Sequence, residues 1–312
     1  MGVLRHAISE FLRHTVYYGG LSGLLCYFNR QPRILMLHGV GTPELPVDVF
    51  RVQLSFLRRF FQIVPLEQVW QADCPGIRTP PRVALTFDDG LRNNFKLAYP
   101  ILKELNVPAT FFVCPGLIDS GRWLWNHECR ARLEWLSVKG RRLFAEEVES
   151  ESADAEAITR KLKYMPHFRR RQAEKQLAEA TPDFAPTDRQ HQNFDIMTWA
   201  ELKALEPGLI TIGGHSTNHE ILTQLNSEQL EREVAQCRTW LERELGRPVN
   251  HFCYPDGAYN AQVISSVGCH FVSAVTTREG WVPAEPSLLE LPRIAISLNV
   301  VDLAWTMHRA TG

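Results

Sequence analysis

Val83-Ala84-Leu85-Thr86 has strand-like chemistry and runs through Phe87 into two adjacent carboxylates and a glycine, Asp88-Asp89-Gly90. Two like charges at the end of a buried strand cost several kcal/mol unless a cation or a proton compensates. The pair therefore reads as a site in which one aspartate ligates a metal ion while its neighbour handles protons. Taken alone, Asp-Asp-Gly is also a common turn, in which Asp bonds its own backbone and Gly supplies positive φ. Partners elsewhere in the chain decide between the two. His215 and His219 are such partners: two histidines four apart, directly after a strand-like run, Leu209 to Gly214, that ends in two glycines. Two imidazoles and one carboxylate suit Zn²⁺, Fe²⁺, Co²⁺ or Ni²⁺ and leave positions open for water and substrate.

The elements that must position these residues follow from periodicity. Ile34 to Leu37 is a short apolar run ending at His38, and a continuous run of this kind fits a fully buried parallel strand. His38 then lies at a strand carboxyl end, where the sites of α/β barrels and open sheets collect. Further strands are expected at Phe61–Pro65, Val83–Thr86, Pro108–Val113, Leu209–Gly214, Asn250–Tyr254, His270–Val275 and Leu291–Ile296. Helical spacing appears over Pro46–Phe61, Asn94–Leu105, Met197–Leu205, Ser227–Leu245 and Asp302–His308, with Thr198 and Glu201 spaced as a capping box. Alternating strands and helices imply parallel β-α-β units. Residues 120–193 change character, being rich in Arg, Glu, Lys and Ala with a helical pattern over Ala153–Ala180 and no strand signal. They read as a helical insertion that bears on substrate choice. Trp123, Trp125 and His127 at its start are candidates to stack on a sugar ring, or else to pack the insertion's own core.

Bulk properties narrow the class. The 312 residues, 45% hydrophobic, can bury a sizeable core, enough for one α/β barrel. A net charge of −1 offers no basic field for nucleic acid. Seven cysteines at 26, 74, 114, 129, 237, 253 and 269 form no CxxC pair and read as semi-buried thiols of a reducing compartment. Residues 1–32 form an N-terminal helical segment ahead of the barrel at 33–312. Its apolar stretch Val16–Phe28, interrupted by Gly19, Gly20 and Gly23, is too short to span a bilayer. Tyr17, Tyr18, Tyr27 and Phe28 between Arg13 and Arg30 suit either a helix packed on the barrel or an interfacial helix at a membrane surface. The absence of a secretory leader points to the cytoplasm, peripheral to the inner face of the membrane in the interfacial case.

Thr86-Phe87-Asp88-Asp89-Gly90, His215-Ser216-Thr217-Asn218-His219 and Phe252-Cys253-Tyr254-Pro255-Asp256-Gly257 together resemble the successive motifs of the polysaccharide deacetylases, the NodB-homology carbohydrate esterases of family 4. The resemblance spans roughly residues 33–297 apart from the insertion. It implies a distorted (β/α) barrel with the site at the strand carboxyl ends. It also implies Asp88 as general base, and Asp89, His215 and His219 as ligands of a divalent metal ion, zinc first, with cobalt, nickel or iron as alternatives. Tyr254, Pro255 and Asp256 fall at substrate-binding positions, where the backbone N–H of Asp256 can serve an oxyanion; Trp125 is the further substrate-binding candidate.

Two departures from the family pattern stand out. Cys253 occupies a position where many relatives carry an arginine paired with the base, and Asp256 replaces an aromatic residue. Arg293, in the run Leu291-Pro292-Arg293-Ile294 near the last expected strand, is the candidate to take that arginine's place. The Leu-x-His motif usual near the family's C-terminus is not evident, and His308 on the terminal helix fits it poorly. In relatives that share the Tyr-Pro form of the third motif, a histidine ending the first strand is thought to protonate the leaving amine, which assigns that role to His38. His251 and His270, at expected strand beginnings, read as structural.

The implied activity is hydrolysis of an N-acyl group, acetyl or formyl, from an amino sugar in a polysaccharide or a lipid-linked glycan precursor. The competing reading is a catalytically idle sugar-binding module on the same fold. Four intact residues, Asp88, Asp89, His215 and His219, speak against it, because binding alone needs no metal triad.

Overall fold

The computed structural model describes residues 2–71 and 79–309. Its sheet contains β1 (Arg33–Leu37), β2 (Gln62–Ile63), β3 (Arg82–Phe87), β4 (Ala109–Val113), β5 (Ile210–Gly214), β6 (His251–Cys253), β7 (Ser273–Glu279) and β8 (Leu291–Ala295). All neighbours pair in parallel, in the order 1-8-7-6-5-4-3, and pairing of β1 with β3 closes seven strands into a barrel. β2 lies beside the start of β3, at Arg82 and Val83, while β4 takes the end of the same edge at Thr86 and Phe87. The expected strand at 61–65 is this short because Val64 makes one more bond to the Val83 carbonyl before Pro65, which has no N–H to donate.

The apolar runs are continuous because these strands are covered on both faces. Leu35, Leu37, Leu85, Phe87, Phe111, Ile212 and Phe252 are all buried in one core. A cation is buried too: the Arg33 guanidinium lies 4.9 Å from the Trp281 ring and 5.1 Å from the Phe61 ring, and its Nε donates to the Met307 carbonyl at 2.7 Å. Burial lowers its pKa to about 10, so it stays charged at neutral pH.

Between β4 and β5, the insertion forms helices Trp125–Trp135, Val138–Glu147, Ala155–Lys163, His167–Ala180 and Asp188–Phe194, flanked by helices Pro115–Ser120 and Trp199–Lys203. The helical pattern expected over 153–180 breaks in two at Pro166, which caps the second piece and disfavours helix at the residue before it. The Thr198–Glu201 capping box forms. His270 corrects an expectation: it is the last residue of a helix, Ala261–His270, and not the start of a strand. Asn260 caps that helix with a bond from Val263, and β7 begins only at Ser273.

The helical stretch 227–245 carries a π turn at Arg232–Gln236. Glu233 in that turn accepts from the Asn218 backbone N–H and from its side chain, both at 2.8 Å. Helices Gly2–Tyr18 and Leu21–Phe28 pack against helix Val300–His308, with Arg13 donating to Asp302 at 2.7 Å. Five of the cysteines are buried free thiols and Cys269 is exposed; Cys74 lies outside the described residues.

Candidate active site

Asp88 and Asp89 leave the end of β3 into a cleft of about 310 Å³ that also receives His38, His215, His219 and Asp256. Strand carboxyl ends converge here because all the strands are parallel. The backbone is held in unfavourable conformations at this point. Asp89 (φ 72°), Ser216 (φ 59°), His219 (φ 57°) and Asp256 (φ 55°) are four of only six non-glycine residues with positive φ among the described residues. Such conformations persist where surrounding structure enforces them, commonly at functional sites.

The two aspartates have opposite surroundings. Asp88 is gripped by Arg293 from β8: Nη1 donates to Oδ1 and Nη2 to Oδ2, both at 2.8 Å. Arg293 is itself fully engaged, with Nε donating to the Thr276 carbonyl, Nη1 to Thr86 Oγ1 and Nη2 to Cys253 Sγ at 3.3 Å. Burial pushes the Asp88 carboxyl up, but the charge and hydrogen bonds of Arg293 outweigh it and hold the pKa below its ordinary value. The small Cys253 side chain thus accepts from a guanidinium that arrives from another strand. Burial raises the thiol's pKa.

Asp89 faces imidazoles instead. Its Oδ1 lies 3.4 Å from His215 Nε2 and 3.3 Å from His219 Nε2, and the two rings are 4.8 Å apart. Burial raises the Asp89 carboxyl, yet the hydrogen bonds of both histidines hold its pKa well below the ordinary value. His215 Nδ1 lies 2.7 Å from the Cys253 carbonyl, a contact that requires Nδ1 to carry a proton and leaves Nε2 as the ring nitrogen turned toward Asp89 and available to a cation.

One oxygen and two nitrogens within 4.8 Å of one another therefore fit a divalent cation. A second group, Asp88, His215 and Cys253, is equally compact but fits poorly. There the carboxylate is occupied by Arg293, the thiol stays protonated, and His215 Nδ1 is committed to a carbonyl.

The remaining expected residues separate into two sets. His38 is exposed at the end of β1 and borders both this cleft and an adjoining groove of about 500 Å³. Asp256 lines the cleft, in a turn closed by bonds from Gly257 and Ala258. Tyr254 also borders it, but its hydroxyl donates to the Leu289 carbonyl at 2.9 Å, and Pro255 is buried.

Trp125 is not in the cleft. It is buried in the insertion's core with the Arg170 guanidinium 4.6 Å from its ring, so packing accounts for it and substrate contact does not. His127 does border the cleft, stacked on Phe194 at 4.5 Å, and burial lowers its pKa to about 4. His251 bonds Ser273, and His308 bonds the Ala304 carbonyl of its own helix; neither borders the cleft. Lys163, Arg170 and Glu220 escaped the sequence reading, since each looks like an ordinary surface charge in a charged stretch.

The sequence model of the polysaccharide deacetylases matches residues 76–272, more than half of the chain. Among solved structures, the Streptococcus pyogenes deacetylase PplD in complex with acetate is similar at 20% identity and a TM-score of 0.60, over 89% of this chain and 98% of that one. IcaB from Ammonifex degensii is similar at 17% identity and a TM-score of 0.58, over 90% and 98%. The BpsB deacetylase domain from Bordetella bronchiseptica is similar at 15% identity and a TM-score of 0.54, over 86% and 96%. No curated protein matches the chain by sequence.

Proposed function

The chain belongs to the polysaccharide deacetylase family, and from that premise we propose that it is a metal-dependent hydrolase removing an N-acyl group, acetyl or formyl, from an amino sugar. The observation that carries the reading is the division of labour between adjacent carboxylates, Asp88 held by Arg293 and Asp89 by two imidazoles.

Asp89, His215 and His219 would hold the cation, zinc by the donor set or else cobalt, nickel or iron. When bound, it supplies Lewis-acid polarisation of the amide carbonyl and a more acidic water. Asp88, kept ionised by Arg293, takes the proton from the attacking water as the new C–O bond forms. The Asp256 backbone N–H donates to the developing oxyanion. His38 delivers a proton to the nitrogen as the C–N bond breaks, releasing carboxylate and the free amine. The idle-module reading gains nothing from this arrangement, because a sugar-binding surface has no use for a base clamped by a buried arginine.

The substrate class we favour is a lipid-linked glycan precursor met at a membrane surface. Phe11, Tyr18, Leu21, Leu24 and Phe28 of the first two helices are exposed. Arg59 lies 5.2 Å from the Phe60 ring and Arg309 4.8 Å from the Trp305 ring, on elements adjoining those helices. Cations on elements adjoining helices with exposed apolar side chains complement an anionic phospholipid surface. Among the described residues no helix is long and apolar enough to cross a membrane. The buried free thiols support the inner, reducing side.

The test is acetate and formate release by purified protein supplied with Zn²⁺ or Co²⁺, on N-acyl amino-sugar oligomers and on their lipid-linked forms. Release from any of them supports the hydrolase, and silence with all of them sinks it.

A further inference from the structure

The insertion between β4 and β5 has its own hydrophobic core, including Leu133, Phe144, Ile158, Leu162 and Leu177. Two side chains from outside the insertion join that core. Ile221 is buried in it, two residues after His219, and Ala258 packs against it, two residues after Asp256. An ion pair doubles each apolar contact. Arg170, fully buried on helix His167–Ala180, donates to Glu220, the residue between His219 and Ile221. Lys163, at the end of helix Ala155–Lys163, donates to Asp256 Oδ1 at 2.8 Å. The Lys163 carbonyl also accepts from Gln224 at 2.8 Å, farther along the His219 loop.

His219 and Asp256 both stand in the left-handed region of backbone space, which non-glycine residues leave unless held. Of the three site loops that carry such conformations, the insertion's ion pairs grip these two. We propose that the insertion is a brace for the active site, with Arg170 and Lys163 as positioning residues. Arg170 acts through Glu220 on His219, and Lys163 acts on the turn that presents the Asp256 N–H. This rests on the hydrolase reading for its kinetic part but not for its cation-binding part.

The experiment uses the full chain and compares Arg170→Met, Arg170→Lys, Lys163→Met and Lys163→Arg with wild type. Zinc affinity is read by chelator competition, alongside kcat, KM and melting temperature. Arg170→Met is expected to weaken zinc binding about 10- to 100-fold, the range for loss of a group orienting a metal ligand. Lys163→Met is expected to keep wild-type zinc affinity and lose about tenfold or more in kcat with little change in KM. Lys163→Arg restores kcat.

Wild-type zinc affinity in Arg170→Met together with wild-type kcat in Lys163→Met overturns the brace, whatever the melting temperatures do. If Arg170→Met does not fold, Arg170→Lys and the Lys163 pair decide. A wild type that hydrolyses no N-acyl sugar, yet binds zinc more tightly than Arg170→Met, leaves the brace standing and sinks the hydrolase.

Discussion

Replacing Arg293 by methionine tests the contact that holds the base. Its guanidinium is buried, its partner Asp88 is nearly as buried, and the pair is bidentate at 2.8 Å for both bonds. Methionine has similar volume but leaves Asp88 as an uncompensated buried charge, at a cost of about 3–5 kcal/mol. At roughly 2–3 °C per kcal/mol for a domain of this size, the melting temperature should fall by about 6–15 °C. A buried carboxylate without its cation takes up a proton, so base catalysis is lost and kcat should drop about 10²- to 10⁴-fold. Arg293→Lys should recover little, since an ammonium cannot reproduce the planar fork.

The decisive arm is the double variant Asp88→Asn/Arg293→Met, which removes both charges. It should melt above the Arg293→Met single, with a coupling energy of up to about 3 kcal/mol in a double-mutant cycle. Calorimetry and steady-state deacetylation measure both quantities. Near wild-type melting and turnover in Arg293→Met, or a double variant no more stable than that single, would refute the pairing argument.

Asp88→Asn should retain the metal and lose turnover, whereas Asp89→Asn should lose the metal; equal metal loss in both, by elemental analysis after dialysis, would show the roles misassigned. His38→Gln should lower turnover about 10²-fold or more on an N-acyl sugar, and much less on an acyl p-nitroanilide whose leaving amine needs no acid. A profile unchanged between the two substrates removes His38 from proton delivery. Burial pushes the Asp88 pKa up and Arg293 more than offsets it, so the folded value lies below the unfolded one. The pair's stability is therefore present above the ordinary carboxylate pKa and lost as pH falls through the lower folded value, and urea midpoints should decline less in acid for Asp88→Asn/Arg293→Met than for wild type. Glutamate at Leu21, Leu24 and Phe28 together should abolish co-sedimentation with anionic vesicles while leaving hydrolysis of a soluble oligomer unchanged; continued sedimentation rules out the membrane face.

Sequence alone was enough for what local chemistry encodes. The eight strand positions follow from short apolar runs, since a barrel strand is covered on both faces and shows little alternation. The motif residues Asp88, Asp89, His215 and His219 were legible because they stand at strand ends, where parallel topology must gather them. Boundaries that a single residue controls were partly legible: the Thr198 cap was, but the break at Pro166 and the helix running on to His270 were not.

Tertiary structure decided the rest. Arg293 and Asp88 are 205 residues apart, and only closure of the barrel through β1 brings β8 near β3. Trp125 at the start of the insertion suits a core or a sugar by sequence, and packing around Arg170 chose the core. Lys163, Arg170 and Glu220 carry no local signal, because a charge that will be buried against a distant partner has the same sequence neighbourhood as one left in water. Periodicity reports how a residue faces its own element, and which element it meets is fixed only when the chain folds.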